Sequence, residues 1–426
     1  MSTHRRRTAR AGVLLAAVLA ATTAAPAHAA TNSWNVPHQA TITIRGHGFG
    51  HGHGMSQYGA EGAARQGLTY KQIADFYYRG TSWGTAKGRV DVLITGDTTD
   101  DLVVVARKGL VLRDRGTGEK TQLPDNGATR WRIVPTADGG GRVGYLKGSW
   151  HPFSTLKGEG ELSAHAQSVT LVTPSGNRAY RGRLRAAVTS SGSTARSTVN
   201  DVSMESYVKG VVPLEMPALW HPEAVRAQAV AARTYAAYER DHPLGSDYQI
   251  CDTSSCQVYG GYDAEHPASN DAVDATRQQV LLANGDPAFT QFGASSGGWT
   301  SAGSVPYLPA RKDPYDGWSG NPVHSWKVTV PDTTIENAWP AIGDLTRIVV
   351  TKRDGNGDWG GRIWSMTLVG SKKKLAVSGD TFRAVLGLRS TWMTFAVAQR
   401  SGRASTRPRP ADTSLMAADL ERQDAP

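Results

Sequence analysis

Beyond residue 30 the chain has no run of eighteen consecutive apolar residues, so nothing after that point is expected to span a membrane. No nucleic-acid-binding motif occurs, and the basic residues are scattered. The formal charge of +10 is therefore not read as a nucleic-acid footprint. There is no internal repeat, and no convincing helical pattern interrupts residues 88–195. Cysteine is scarce: only Cys251 and Cys256, with four residues between them. Two cysteines alone do not make a zinc site. In an oxidising compartment such a close pair most often forms a disulfide, with free thiols or a histidine-completed metal site as the alternatives.

What is present begins with an export signal over residues 1–29. Arg5, Arg6, Arg7 and Arg10 form a basic start, Ala11 to Ala21 is apolar but short, and Ala27-His28-Ala29 suits a signal peptidase. The arginines leave twin-arginine export open beside the general route. The mature chain is expected to be soluble and secreted, extracellular or in the cell wall, with no transmembrane anchor after cleavage. Without the four leader arginines its charge is near +6, which suits an anionic wall; a solvated surface of mixed charge is the plainer reading.

The rest reads as α+β. Residues 30–87 hold a strand (TITI), a glycine-rich turn and a helical stretch from about Ala60 to Tyr78. Residues 88–195 are β-rich, with short β-branched runs such as VDVLI, LVVVA and TRWRIV between Gly, Asp and Pro turns, and are assigned a structural or wall-binding role. Residues 196–396 are mixed. Glu205 to Val211 forms a short helix or turn, and the alanine-rich run from Pro222 forms the strongest helix, with Val225, Ala229, Ala232 and Ala236 on one face. Residues 397–426 read as a disordered tail.

Three segments offer chemistry. GHGFGHGHGMSQYGA, residues 46–60, alternates glycine and histidine; a tight turn, a substrate-facing loop and a metal site are its three readings, although no nearby acid or cysteine supports metal. Glu215 lies between Pro213 and Pro217, in an expected loop among Val212, Leu214, Met216 and Trp220, surroundings that raise a carboxyl pKa and suit a general acid. The plainer alternative is a surface or capping carboxylate. Gln228 and Arg233 interrupt the alanine-rich helix, either as buried hydrogen-bonders or on a solvated face. ASSGGWTS offers Ser295, Ser296 and Thr300 for sugar hydroxyls and lacks the spacing of a serine-hydrolase elbow.

Together GVVPLEMP, EAVRAQAVAARTYA, CQVYGG, ATRQQVLLANG, SSGGWT, SGDTFRAVLGL and GHGMSQYGA resemble the stage II sporulation protein D, or SpoIID/LytB, family. The resemblance implies a SpoIID-like catalytic domain with the β-rich region inserted between the N-terminal loop-helix segment and the catalytic helix. It implies lytic transglycosylase-like action on glycan strands of peptidoglycan already stripped of stem peptides. A non-catalytic enhancer of an amidase autolysin is the rival, and such an amidase is a possible partner under either reading. The glutamate of the family's VPxEMP motif falls on Glu215, and His51, Ser56 and Gln57 match positions of the GHGxGMSQ segment. That segment usually ends the domain, whereas here it comes first, which resembles a circular permutation. Some members hold zinc near the cysteine segment. Here Ser255 precedes Cys256 and His242 is the nearest histidine, so a disulfide, no metal and no cofactor are expected. Glu223 is the one other acid of the motif; as a partner to Glu215 it would make a hydrolytic muramidase.

Overall fold

The computed structural model describes residues 32–165 and 167–400. The export-signal reading, and the tail beyond residue 400, lie outside the described residues. The architecture is mixed α+β.

Two apolar centres organise the chain. The smaller joins the two ends of the described sequence. Strand Ala40–His47 pairs antiparallel with Ser325–Pro331 on one side and Met393–Gln399 on the other. Ala40, Ile42 and Ile44 point inward at every second position, as a half-buried strand requires. Met393–Gln399 runs three residues into the stretch read as tail, because Ala40 pairs with Gln399. A four-stranded sheet packs beside it, in the order Ser33–Asn35, Leu345–Arg353, Ile363–Gly370, Lys374–Ser378.

The larger centre unites the β-rich region with the helices. A seven-stranded sheet runs in the order Ile250–Cys251, Arg89–Leu93, Arg196–Ser203, Arg183–Val188, Gly160–Ser163, Val111–Asp114, Lys120–Gln122. Arg196–Ser203 pairs on both sides with strands of residues 88–195 and then leads directly into a helix. The apolar residues of the β-rich region and those of the helices consequently share one continuous core.

Two helical readings change. The stretch Ala60 to Tyr78 is two helices, α1 (Gln57–Arg65) and α2 (Tyr70–Tyr77). Thr69 restarts the chain with a capping box, its hydroxyl accepting from the Gln72 N–H while the Gln72 side chain returns to the Thr69 N–H. The short helix at Glu205 is α3 (Met204–Glu215), capped by Ser203, and Glu215 is its last residue rather than part of a loop. Pro213 stands in its final turn, and the helix ends two residues on. The alanine-rich run forms α4 (Pro222–Asp241), with Pro222 in its first turn. It is buried all round rather than on one face: Gln228, Arg233 and Thr234 are as enclosed as Ala229 and Ala236.

Candidate active site

Glu215 sits where α3 ends. One carboxylate oxygen accepts the Val258 N–H at 2.8 Å, and its backbone carbonyl accepts the Gln57 side-chain amide at 2.7 Å. Val258 follows a loop closed by a disulfide between Cys251 and Cys256, and the preceding Gln257 pins the chain there by donating its amide to the Ala232 carbonyl at 3.2 Å. Gln57 opens α1, so the N-terminal segment reaches Glu215 across more than 150 residues of sequence. Burial raises the pKa of the Glu215 carboxyl, against the opposing pull of the Val258 N–H and the Gln57 amide; no charged side chain contributes. The negative end of the α3 dipole acts in the same direction as burial.

Three buried polar atoms around Glu215 have no hydrogen-bond partner: the Tyr207 hydroxyl, Gln228 Nε2 and Gln257 Oε1. Each belongs to a residue one step away from Glu215. Tyr207 feels its charge, Gln228 Oε1 lies 3.5 Å from the Gln57 amide, and Gln257 precedes Val258. An unmade buried hydrogen bond costs about 1–3 kcal/mol, and such groups cluster where something other than stability is served.

Glu223 is otherwise engaged. It accepts the Tyr70 N–H at 2.7 Å and pairs with Arg226, fixing the start of α2 to the start of α4. Arg233 is also structural in its contacts. It forks onto Glu205 at 2.9 and 3.2 Å and donates to the carbonyl of Val273 at 3.1 Å, tying the first turn of α3 to the chain that follows α4.

The GHGFGHGHGMSQ segment interleaves with FGASSGGWTS. Phe49 bridges to Ser295, His53 to Ser301, and Met55-Ser56 pairs in parallel with Phe292-Gly293. The glycines permit this approach: Gly48 (φ +74°) lies so near the Ser295–Gly297 backbone, and Gly52 (φ +81°) so near the Arg362 guanidinium, that a Cβ at either would clash. His51 is exposed, stacks on His53 at 4.9 Å and accepts the His53 N–H at 2.9 Å.

The hydroxyls expected to meet sugars turn inward. Ser56, Ser295, Ser296 and Thr300 are each at most 3% exposed. Ser56 and Ser295 donate to Asp316 at 2.7 and 2.9 Å, Ser296 to Asp313 at 2.8 Å, and Thr300 to the Pro309 carbonyl at 2.8 Å. They build the loop rather than line it, because two buried carboxylates and a backbone carbonyl accept their hydrogen bonds. Asp313 and Asp316 had no signal in the sequence beyond a turn-rich DPYDGW run. Burial, aided by Asp316, pushes the Asp313 carboxyl up to about 6. Its oxygens are occupied by Ser296, the Tyr77 hydroxyl and the Tyr315 N–H, so it lacks the access an acid catalyst needs.

His324 donates its Nδ1–H to the Asp316 carboxylate at 2.8 Å, and this bond raises its pKa. A raised histidine pKa stabilises the fold below the unfolded value of 6.5, and the contribution fades as pH rises through the folded value. His324→Gln is therefore expected to lower the melting temperature more at pH 5.5 than at pH 8.5; an equal loss at both would show that the pair is not ionic.

Among the described residues no group of three His, Cys, Asp or Glu side chains is placed to hold a metal ion. His242 stacks on Tyr238 at 4.2 Å, and both cysteine sulfurs are in the disulfide.

An aromatic strip begins at Tyr58, the residue after Gln57. Tyr58 lies 4.8 Å from Trp220 and 6.4 Å from Trp318 between ring centres, and the Trp318 indole N–H donates to the Tyr58 carbonyl. All three rings are half-buried, and the adjoining Leu219 is 72% exposed.

Residues 192–282, which contain Glu215, α4 and the disulfide loop, match the family model described as Stage II sporulation protein, SpoIID. The chain is 42% identical over 121 residues to an amidase enhancer of Bacillus subtilis, covering 26% of this chain and 16% of that protein. It is 36% identical over 150 residues to Stage II sporulation protein D of the same organism, covering 29% and 42%. With Stage II sporulation protein D of Bacillus amyloliquefaciens it shares 29% identity over 221 residues, covering 46% and 61%. The chain thus spans less than two thirds of the length of these curated relatives.

Proposed function

We propose, from the premise that the chain belongs to the SpoIID/LytB family through its domain at residues 192–282, that it cuts the glycan strands of peptidoglycan by a lytic transglycosylase-like reaction at Glu215. The observation that carries this reading is the half-buried Glu215 carboxyl, raised by its surroundings, held by one backbone N–H and unaccompanied by any charged partner. Protonated, it gives its proton to the oxygen joining N-acetylmuramic acid to N-acetylglucosamine as the bond from C1 breaks. The resulting carboxylate takes the proton of the muramic C6 hydroxyl while O6 bonds to C1. The products are a free hydroxyl on one side and a 1,6-anhydro ring on the other, and the glutamate returns to its starting form with no water consumed.

A hydrolase would need a second free carboxylate about 5–10 Å away. Glu223 is the natural candidate, but its oxygens are committed to Tyr70 and Arg226, which favours the single-glutamate route. The strip of Tyr58, Trp220 and Trp318 suits the apolar faces of pyranose rings. The enhancer reading rests on the name of the amidase-enhancer relative. We further propose that residues 46–60 complete the same domain from the N-terminal side, as a circular permutation requires; the bond from Gln57 to Glu215 supports this. Incubating purified protein with stripped glycan strands, alone and with an amidase, separates the readings: cleavage without the amidase supports catalysis, and faster amidase action without glycan cleavage supports the enhancer.

A further inference from the structure

The outer face of the seven-stranded sheet holds a cavity of about 240 Å³ far from Glu215 in sequence, lined by Arg89, Arg113, Lys120, Glu161, His165 and Arg183 among others. Strand alternation produces it. Leu112, Leu162 and Leu184 point to the core, so Val111 and Arg113, Glu161 and Ser163, and Arg183 point outward together. Register then sets arginine beside carboxylate across four strands: Arg113 pairs with Glu161, and Arg183 with Asp201.

The charges do not balance. Glu161 is 1% exposed and is approached by Arg115 at 2.6 Å, Arg113 at 3.2 Å and Arg183 at 3.9 Å. Asp201 takes Arg89 and, at 3.1 Å, Arg183. Arg115 also meets Glu159 at 3.5 Å. Lys120 adds a fifth cation and has no ion pair among the described residues. Arg185 meets Glu159 and Asp91 at 3.0 Å each, so six cations stand against four carboxylates in the network around this concavity, an excess of two positive charges. Arg113 Nε is moreover buried with no hydrogen-bond partner. Like charges held together in a partly enclosed site attract an anion.

The geometry also selects among anions. Arg89, Arg113 and Arg183 come from three different strands, so their N–H groups reach the cavity from several directions. A planar carboxylate is satisfied by one guanidinium fork, whereas a tetrahedral phosphate has acceptor oxygens for donors that are not coplanar.

We propose that this cavity binds a phosphate group, supplied by the phosphodiester backbone of an anionic wall polymer. It is a docking site separate from Glu215 and does not depend on what Glu215 does. Calorimetric titration of the full chain at low salt tests it with inorganic phosphate, acetate and a poly(glycerol phosphate). Phosphate is expected to bind saturably with a dissociation constant on the order of 1 mM, and the polymer at least about tenfold more tightly through repeated engagement. Lys120→Glu, in the exposed edge strand Lys120–Gln122, is expected to weaken both about tenfold while melting like the parent. Acetate binding as tightly as phosphate, no saturation by phosphate, or an unaffected Lys120→Glu variant would overturn the site. Phosphate binding with no gain for the polymer would overturn the wall polymer as its source.

Discussion

Glu215→Gln is expected to lower the rate of glycan cleavage by about 10²–10⁴-fold and to leave the fold intact. The amide is nearly isosteric, and its oxygen still accepts the Val258 N–H, so the end of α3 keeps its anchor. What is lost is the proton that leaves in the first step and returns in the second. The wild-type pH profile is expected to carry the same signature. In the proposed mechanism the protonated form of Glu215 is the active one, so kcat/KM is expected to fall as pH rises through its carboxyl pKa, which burial raises. A Glu215→Gln variant that cleaves normally, with Glu223→Gln inactive, would transfer the role to Glu223. The check is turnover measured beside circular dichroism and thermal melting on the same preparations.

Arg233→Ala is expected to destabilise the protein by about 3–5 kcal/mol. The guanidinium is fully buried, and its removal leaves the Glu205 carboxylate in the first turn of α3 without its counter-charge and takes a donor from the carbonyls of Val273 and Gln279. Glu205 keeps only the Gln278 N–H, at 3.0 Å. Since α3 begins at this pair and ends at Glu215, loosening it also costs cleavage activity in the variant that remains folded. Arg233→Lys retains the charge but loses the fork, so an intermediate loss is expected. Urea unfolding measures both; a loss under about 1 kcal/mol for Arg233→Ala would contradict a linking role for the pair.

The features legible in the sequence were those written in local chemistry. Pro222 followed by an alanine-rich run announces α4, and TITI announces the strand that aligns Ile42 and Ile44. Glu215 was recognisable from its motif, but its position at a helix end was not, because Pro213 and Pro217 read as loop markers and local propensity does not reveal that Pro213 can occupy a last turn. The division between α1 and α2 rests on the side-chain cap at Thr69, a short signal inside a continuous helical pattern. The inward turn of Ser295, Ser296 and Thr300 is not legible in the sequence, because a hydroxyl's direction depends on what lies behind it. Asp313 and Asp316 are about twenty residues away, in a stretch with no periodicity. Gln57 reaching Glu215 is a long-range contact that only the family resemblance suggested.

The central claim is tested most directly by the chemistry of the new chain ends. Glycan strands stripped of stem peptides are incubated with the purified protein, and the fragments are weighed by mass spectrometry. Single-glutamate transfer predicts muramic termini one water lighter than a reducing sugar, the mark of a 1,6-anhydro ring, and none from Glu215→Gln. Reducing muramic termini, or intact strands at every enzyme concentration, would contradict it.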